Sequence, residues 1–373
     1  MRDPATSRLK VAIVAPSLAI VGGQAIQAAR LLDGWRGDPD VEAWLVPIDP
    51  NAPGPLRRLQ RIRYVRTAVT QLVYWPRLAR QLRRADVVHV FSASYLSFVL
   101  APWPAVRVAR ALGKPIVLNY HSGEAPDHLR RSALARRTLR SVDAVLVPSA
   151  FLVDVFAGFG IPARAIPNVI DVSRFRFRER RPLAPRLLST RSFEPHYNVA
   201  CTLRAFRRVQ TRWPDATLTL AGTGSQDAAL RTLARALGLR GVTFLGAVPP
   251  ERMPGIYDAA DIYVQTPDLD NMPLSLLEAY ASGTPAVSTA VGGVPTMLTP
   301  GVEGLLAPRG DHEAVADAVL RLLSQPDLAT TLARTARAAC GAYTWAATRG
   351  QWVQAYRALL PRADASAAPV TAS

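Results

Sequence analysis

A chain of 373 residues, 49% hydrophobic and 20% charged, can bury a substantial core and exceeds the size at which one core usually keeps growing, so two domains are expected. Two cysteines, Cys201 and Cys340, make neither a CxxC pair nor a dense framework, which argues against structural zinc or disulfides and fits a reducing cytoplasm. The formal charge of +17, from 45 Lys and Arg against 28 Asp and Glu, draws anionic partners, and nucleic acid, anionic lipid and phosphorylated substrates all qualify.

The first apolar run in the chain is Val11 to Val21. Preceded by Arg8 and Lys10 it imitates a short signal segment, but it runs into Gly22-Gly23 with no small-x-small cleavage pattern and reads better as a first strand. Short Val/Ile/Leu-rich runs alternate with longer helical periods: Val11 to Ala15, Ala43 to Val46, Val87 to Val90, Ile116 to Asn119 and Ala144 to Val147. That alternation is the rhythm of a parallel sheet. After Pro167-Asn168 and the Arg-rich stretch Arg174 to Arg181 it restarts, with Leu187 to Thr190, Ala216 to Ala221, Val242 to Leu245, Ile262 to Val264 and Ala286 to Ser288. The expected fold class is therefore α/β, with two doubly wound, Rossmann-like domains over residues 1–172 and 173–344. A last helix over 345–360 returns to complete the first domain, and the Ala/Ser-rich end, 361–373, reads as a disordered tail.

Between the second and third runs, Pro55 to Arg84 carries nine arginines and no acidic residue. The interleaved Leu, Val, Tyr74 and Trp75 suit a basic amphipathic helix on an anionic membrane surface, and they equally suit a solvated helix face. Val87 to Ala101 is interrupted by His89, Ser92, Ser94 and Ser97 and is too short to span a membrane.

Ligands of open parallel sheets bind beyond the carboxyl ends of the strands, so the loops leading into helices carry the information. After the first strand come Gly22 and Gly23, whose missing side chains let backbone amides approach a phosphate at a helix N-terminus. After Ile116 to Asn119 comes His121, placed at a strand's carboxyl end.

From Leu187 to Ala307 the chain resembles the second domain of family-4 glycosyltransferases, also called glycosyl transferases group 1. The matching pieces are Ser189-Thr190-Arg191, Ala221-Gly222-Thr223-Gly224, Phe244-Leu245-Gly246, and DNMPLSLLEAYASGTPAVSTAVGGVPTML from Asp270. The first domain resembles the family through Gly22-Gly23, His121 and the PNVIDVSRF stretch after Ile166. The resemblance implies the GT-B fold, in which two Rossmann-like domains face a central cleft, the first on the acceptor side and the second binding the nucleotide sugar.

It also implies roles. Two acidic residues separated by seven give Asp270, against the transferred sugar, and Glu278, against the donor ribose. Pro273 suits the first turn of a helix, leaving the amides around Leu274 and Ser275 free for a phosphate, with Glu278 one turn further on. Asn271, Met272, Pro273 and Leu274 accordingly join the donor site, and Gly292-Gly293 belong to the same motif. The family's diphosphate-neutralising Arg is Arg191, but its Lys, five residues on, is His196 here, which donates a hydrogen bond and supplies less charge. Either another cation serves, or the diphosphate is held less tightly. The resemblance implies retention of anomeric configuration. With no carboxylate nucleophile evident on the first domain, front-face departure assisted by His121 and backbone carbonyls is favoured over double displacement.

The function expected is a retaining glycosyltransferase, with a donor that is a UDP-linked sugar and an acceptor that is a membrane-proximal glycan or lipid-linked molecule in cell-envelope polysaccharide or glycolipid synthesis. The chain would sit in the cytoplasm, peripheral on the inner face of the plasma membrane, with no cofactor, no metal and no nucleic-acid partner, since no metal-ligand cluster and no zinc-finger or RRM signature occurs. The rival readings are an epimerase or hydrolase of the same fold, and a degenerate nucleotide-sugar-binding protein disabled at His196.

Overall fold

The computed structural model describes residues 8–19, 22–62 and 65–360. The tail at 361–373, Val21 and Arg63 lie outside the described residues. Among the described residues, the first domain is built on strands β1 (Leu9–Ala15), β2 (Val41–Pro47), β3 (Val87–Ser92), β4 (Ile116–Tyr120), β5 (Ala144–Val147) and β6 (Arg164–Ala165). The second is built on β7 (Arg186–Ser189), β8 (Thr217–Ala221), β9 (Val242–Gly246), β10 (Ile262–Gln265), β11 (Ala286–Thr289) and β12 (Leu305–Ala307). All pairings are parallel, in the orders β2-β1-β3-β4-β5-β6 and β12-β11-β10-β7-β8-β9.

Both faces of a parallel sheet are covered by crossover helices, which is why β3 and β4 are buried at every residue and are apolar but for the buried His89, Ser92 and Asn119. The strand orders matter more for function. The first sheet reverses direction between β1 and β3 and the second between β7 and β10. At such a switch point neighbouring loops leave to opposite faces and open a crevice at the strands' carboxyl ends. The loop after β1 holds Gly22-Gly23, the loop after β7 holds Arg191, and the loop after β10 holds Asp270. The two edge strands that sequence reading missed, β6 and β12, are two and three residues long, too short to give a period.

The chain crosses between domains twice, and the crossings touch where the amide of Ile170 donates to the carbonyl of Tyr343 at 2.8 Å. The helix Trp345–Arg357 then packs back on the first domain. Trp352, Val353 and Tyr356 share a core with Val11, Ile13, Leu31 and Trp35, and the Trp35 and Trp345 rings meet edge to face at 4.5 Å. Its polar side is anchored too, since Arg349 pairs with Asp38 at 2.6 Å and with Asp40 at 2.6 Å. The Arg-rich connection is partly structural. Arg180 is buried and spends its guanidinium on the carbonyls of Ala260 (2.7 Å), Arg178 and Ser282 (2.8 Å each) and Tyr257 (2.9 Å), tying the incoming linker to the second domain.

The Pro55 to Arg84 stretch forms two helices, Leu56–Leu59 and Arg66–Leu82. Val69, Tyr74, Leu78 and Leu82 turn inward, and Arg57, Arg58, Arg61, Arg66, Arg80, Arg83 and Arg84 are exposed.

Candidate functional site

The site assembles from the first domain upward. Gly22 caps the helix Gly23–Gly34 in extended geometry (φ −177°, ψ 165°), and a Cβ built on either glycine would meet nothing within 4 Å. Neither backbone conformation nor packing demands glycine here. What the missing side chains leave is open space over a helix N-terminus, where unpaired amides and the helix dipole favour an anion.

His121 follows β4. Its ring stacks on Phe91 at 4.9 Å, and its Nε2 is buried without a hydrogen-bond partner among the described residues. Burial lowers its pKa to about 3, so the imidazole is neutral at physiological pH. Phe91 stacks in turn on the buried His89 at 5.0 Å, and His89 on Trp352 of the last helix at 5.1 Å. Glu124, three residues after His121, also lines the cleft.

From the second domain comes Arg191, buried, its Nη1 2.9 Å from Ser275 Oγ, its Nη2 paired with Asp270, and its guanidinium 4.1 Å from the centroid of the Tyr197 ring. Burial is the largest single influence and works against its charge, but the Asp270 carboxylate together with Tyr197, Tyr263 and Tyr257 raises its pKa overall, so Arg191 stays cationic. The His196 ring lies 4.1 Å from that of its chain neighbour Tyr197, tilted at 51°, in the short turn Pro195–Tyr197. Asp270 thus meets Arg191 as well as the cleft. Its loop is seated by Gly292 and Gly293: a Cβ there would lie 2.0 Å from the Asp270 carbonyl oxygen and 2.1 Å from that of Asn271, and Gly292 holds φ +51°. Those glycines serve the loop's packing.

Two expectations need correction. Of the residues assigned to the donor, Asn271 is the one that does not line the cleft. It is buried and its Oδ1 accepts from Ser149, the N-cap of helix Ala150–Ala157 on the first domain, because the tight seating against Gly293 turns the residue inward. Pro273 is the N-cap of helix Leu274–Ser282 instead of a member of its first turn. Its carbonyl takes the Leu276 amide at 3.2 Å, which leaves the amides of Leu274 and Ser275 unpaired as expected. Met272 lines the cleft and is held from the linker, where Asn168 Nδ2 donates to its carbonyl at 3.0 Å.

Glu278 lies on that helix, buried, and Arg30 Nη2 of the first domain sits 2.9 Å from its Oε1. Burial raises the Glu278 pKa, opposed by Arg30, Tyr257 and Arg174. Arg30, Arg174, Tyr197 and Glu124 are cleft residues that sequence reading missed. Helical or loop position alone gave no signal for them, because each becomes a site residue only when the two domains face each other.

Together these groups line one cleft of about 860 Å³ between the domains, within the range of small-ligand sites. No group of three potential metal-binding side chains occurs among the described residues, and no helix there is long and apolar enough to cross a membrane.

Two doubly wound domains whose switch points open on a shared cleft define the GT-B architecture, and the Anabaena protein HepE in complex with UDP-glucose superimposes with a TM-score of 0.73 at 18% identity, over 94% of this chain and 100% of that one. The family described as glycosyl transferases group 1 matches residues 173–339, and Glycosyltransferase Family 4 matches residues 21–174. The chain belongs to these glycosyltransferases. Among curated relatives, D-inositol 3-phosphate glycosyltransferase of Corynebacterium urealyticum is 36% identical over 165 residues, covering 42% of this chain and 39% of that protein's own length. The GDP-mannose-dependent alpha-(1-6)-phosphatidylinositol monomannoside mannosyltransferase of Mycolicibacterium smegmatis is 27% identical over 319 residues, covering 78% of this chain and 81% of that protein.

Proposed function

We propose that this chain is a retaining glycosyltransferase that moves a sugar from a nucleotide diphosphate donor to the hydroxyl of a membrane-proximal, lipid-linked or glycan acceptor. The observation that carries the reading is the convergence of both switch points on one cleft, with a carboxylate for the ribose (Glu278), cation and helix amides for the diphosphate, and Asp270 and His121 at the reacting sugar. Arg191 and the amides of Leu274 and Ser275 hold the diphosphate from one side and the Gly22-Gly23 helix N-terminus from the other. Arg174, which lines the cleft, is a further cation beside Arg191, in a chain that has His196 where the family's Lys stands.

Departure of the nucleoside diphosphate leaves positive charge at the anomeric carbon. A neutral His121 suits that centre, since a protonated ring would repel it, and burial keeps the ring neutral. A UDP-linked donor is favoured by the UDP-glucose complex of HepE, and a GDP-linked one by the mycobacterial mannosyltransferase's name. That name also supports a lipid acceptor.

At the acceptor end the cleft is walled by Pro16, Ile48, Tyr95, Leu96 and Pro102, and Glu124 is the charged side chain there. Beside it the Tyr95 hydroxyl donates to Asp127 at 2.7 Å, and Asp127 pairs with Arg130 and Arg131 at 2.9 Å each, so these arginines are engaged within the chain, and the largely apolar wall suits an uncharged hydroxyl beside an apolar group. Helix Arg66–Leu82 adjoins it: Gln71 Nε2 donates to the Leu100 carbonyl at 2.9 Å and Tyr74 to that of Ala101 at 3.1 Å. On that side Leu56, Leu59, Ile62, Leu72 and Trp75 are exposed among the arginines, a mixture that favours an anionic membrane surface over a merely solvated face. The chain then works in the cytoplasm, on the inner face of the membrane.

Incubation of the purified protein with UDP- and GDP-sugars, with and without anionic vesicles carrying glycolipid, tests the reading through nucleoside diphosphate release. Release that depends on acceptor and exceeds spontaneous hydrolysis is expected. Binding without any turnover would favour the degenerate binding protein instead.

A further inference from the structure

The helix Gly23–Gly34 carries a second group into the cleft. Gln27 and Arg30, one turn apart, both reach the linker: Gln27 Nε2 donates to the Val169 carbonyl at 2.9 Å, its Oε1 accepts the Val169 amide at 2.8 Å, and Arg30 Nη1 donates to the same carbonyl at 3.0 Å. The other arm of the Arg30 fork, Nη2, crosses to the second domain and donates to Glu278 Oε1 at 2.9 Å. Both side chains are about nine-tenths buried, with 10% exposure each, and both line the cleft.

We propose that Arg30 is a positioning residue for nucleotide binding, orienting the Glu278 carboxylate toward the donor ribose and making domain closure and donor binding one event. The proposal rests on the assignment of Glu278 to the ribose. A guanidinium held by two carbonyl or carboxylate partners is a rigid fork, and one contact on Oε1 uses one of about four lone-pair positions on the carboxylate, leaving room for a ribose diol. A buried carboxylate without a cation would tend to take up a proton and lose that acceptor capacity. Of the charged and polar groups facing Glu278, Arg30 comes from the first helix, Arg174 from the linker and Tyr257 from helix Met253–Ala259, and Arg30 is the strongest counterweight to burial. The first turn of the same helix faces the diphosphate, and Arg30, seven residues on, is about 10 Å along its axis. One rigid helix of the first domain thereby meets two parts of a donor held by the second, so an open molecule offers a ribose carboxylate without its partner.

The test measures UDP and GDP binding to the full-length protein by calorimetry across pH 5.5 to 8.5, using whichever nucleotide the parent binds. Arg30→Met should weaken binding about tenfold at pH 7.5 and move the acid-side loss of affinity to higher pH, while Arg30→Lys should restore most of both. The titration of the phosphates themselves is common to all variants and cancels in the comparison. In a Glu278→Gln background, Arg30→Met should weaken binding no further. Unchanged or tighter binding by Arg30→Met would overturn the proposal, the tighter result marking Arg30 as a competitor of the ribose. A loss that adds in full to that of Glu278→Gln would overturn it as well, because Arg30 would then act independently of the carboxylate. If Glu278→Gln alone binds like the parent, the ribose assignment itself has failed, a result distinct from failure of Arg30.

Discussion

Replacing Gly23 by Ala separates what the fold needs from what the ligand needs. Gly23 opens a helix at a φ outside the left-handed region, and a Cβ there meets no heavy atom within 4 Å. Alanine adopts that backbone without strain, and by restricting the unfolded chain it should stabilise the protein by about 0.4–1 kcal/mol. For a domain of this size that is a rise in Tm of roughly 1–4 °C. The same methyl stands in the open space assigned to the donor diphosphate, where an intruding methylene typically costs about 1–3 kcal/mol. The expected loss of nucleoside diphosphate affinity is a factor of roughly 5 to 150. Scanning calorimetry reads the first quantity and isothermal titration with UDP or GDP the second, and the two should move in opposite directions. A stabilised variant that binds nucleotide like the parent would refute the placement of the diphosphate at this helix N-terminus. A destabilised variant would refute the reading of the helix start.

Asp270→Asn and Glu278→Gln should divide the donor: the Gln variant weakens free nucleoside diphosphate and intact donor by similar factors, whereas the Asn variant mainly lowers kcat/KM. Each lost charge-assisted bond should be worth about 1.5–3 kcal/mol, and equal effects of both on free nucleotide would contradict the division. His121→Ala should lower turnover far more than donor affinity, because the ring is assigned to the transition state, and an unchanged kcat would remove it from the mechanism. Folding stability should fall as pH drops below the ordinary histidine value of about 6.5 toward 3, since burial holds His89 and His121 near 3 and the unfolded chain takes up the protons first. His89→Phe should flatten the slope of urea-unfolding free energy between pH 6 and 5 by about 1 kcal/mol per unit, and a parallel slope would show that His89 titrates normally. Binding to anionic vesicles should weaken steeply above about 0.1 M salt, where charges are screened beyond about 10 Å, and Arg57, Arg58, Arg61 and Arg80 changed together to Gln should reduce it. Vesicle sedimentation that is indifferent to those four changes would leave the surface merely solvated.

Ten of the strands lie where the apolar runs stand, most of them shifted by a residue or two at an end, because strands covered by helices on both faces are largely apolar whatever surrounds them. The family-like run from Asp270 was legible for the same local reason: a tight loop, an N-cap and a carboxylate one turn into the helix are fixed by spacing along one stretch of chain. Spacing could not reveal that Gly292 and Gly293 exist to seat Asp270 and Asn271, that Asn271 turns to Ser149 and away from the cleft, or that Arg30 holds Glu278 from 248 residues away. Those contacts join residues that share no element and no period. The glycine seat is made within the second domain by the neighbouring loops after β10 and β11, whereas Ser149 and Arg30 reach Asn271 and Glu278 only because the two independently wound sheets face each other. Two Rossmann-like halves and the family-like run from Asp270 are written locally along the chain, whereas the pairing of Arg30 with Glu278 exists only once the halves are packed together.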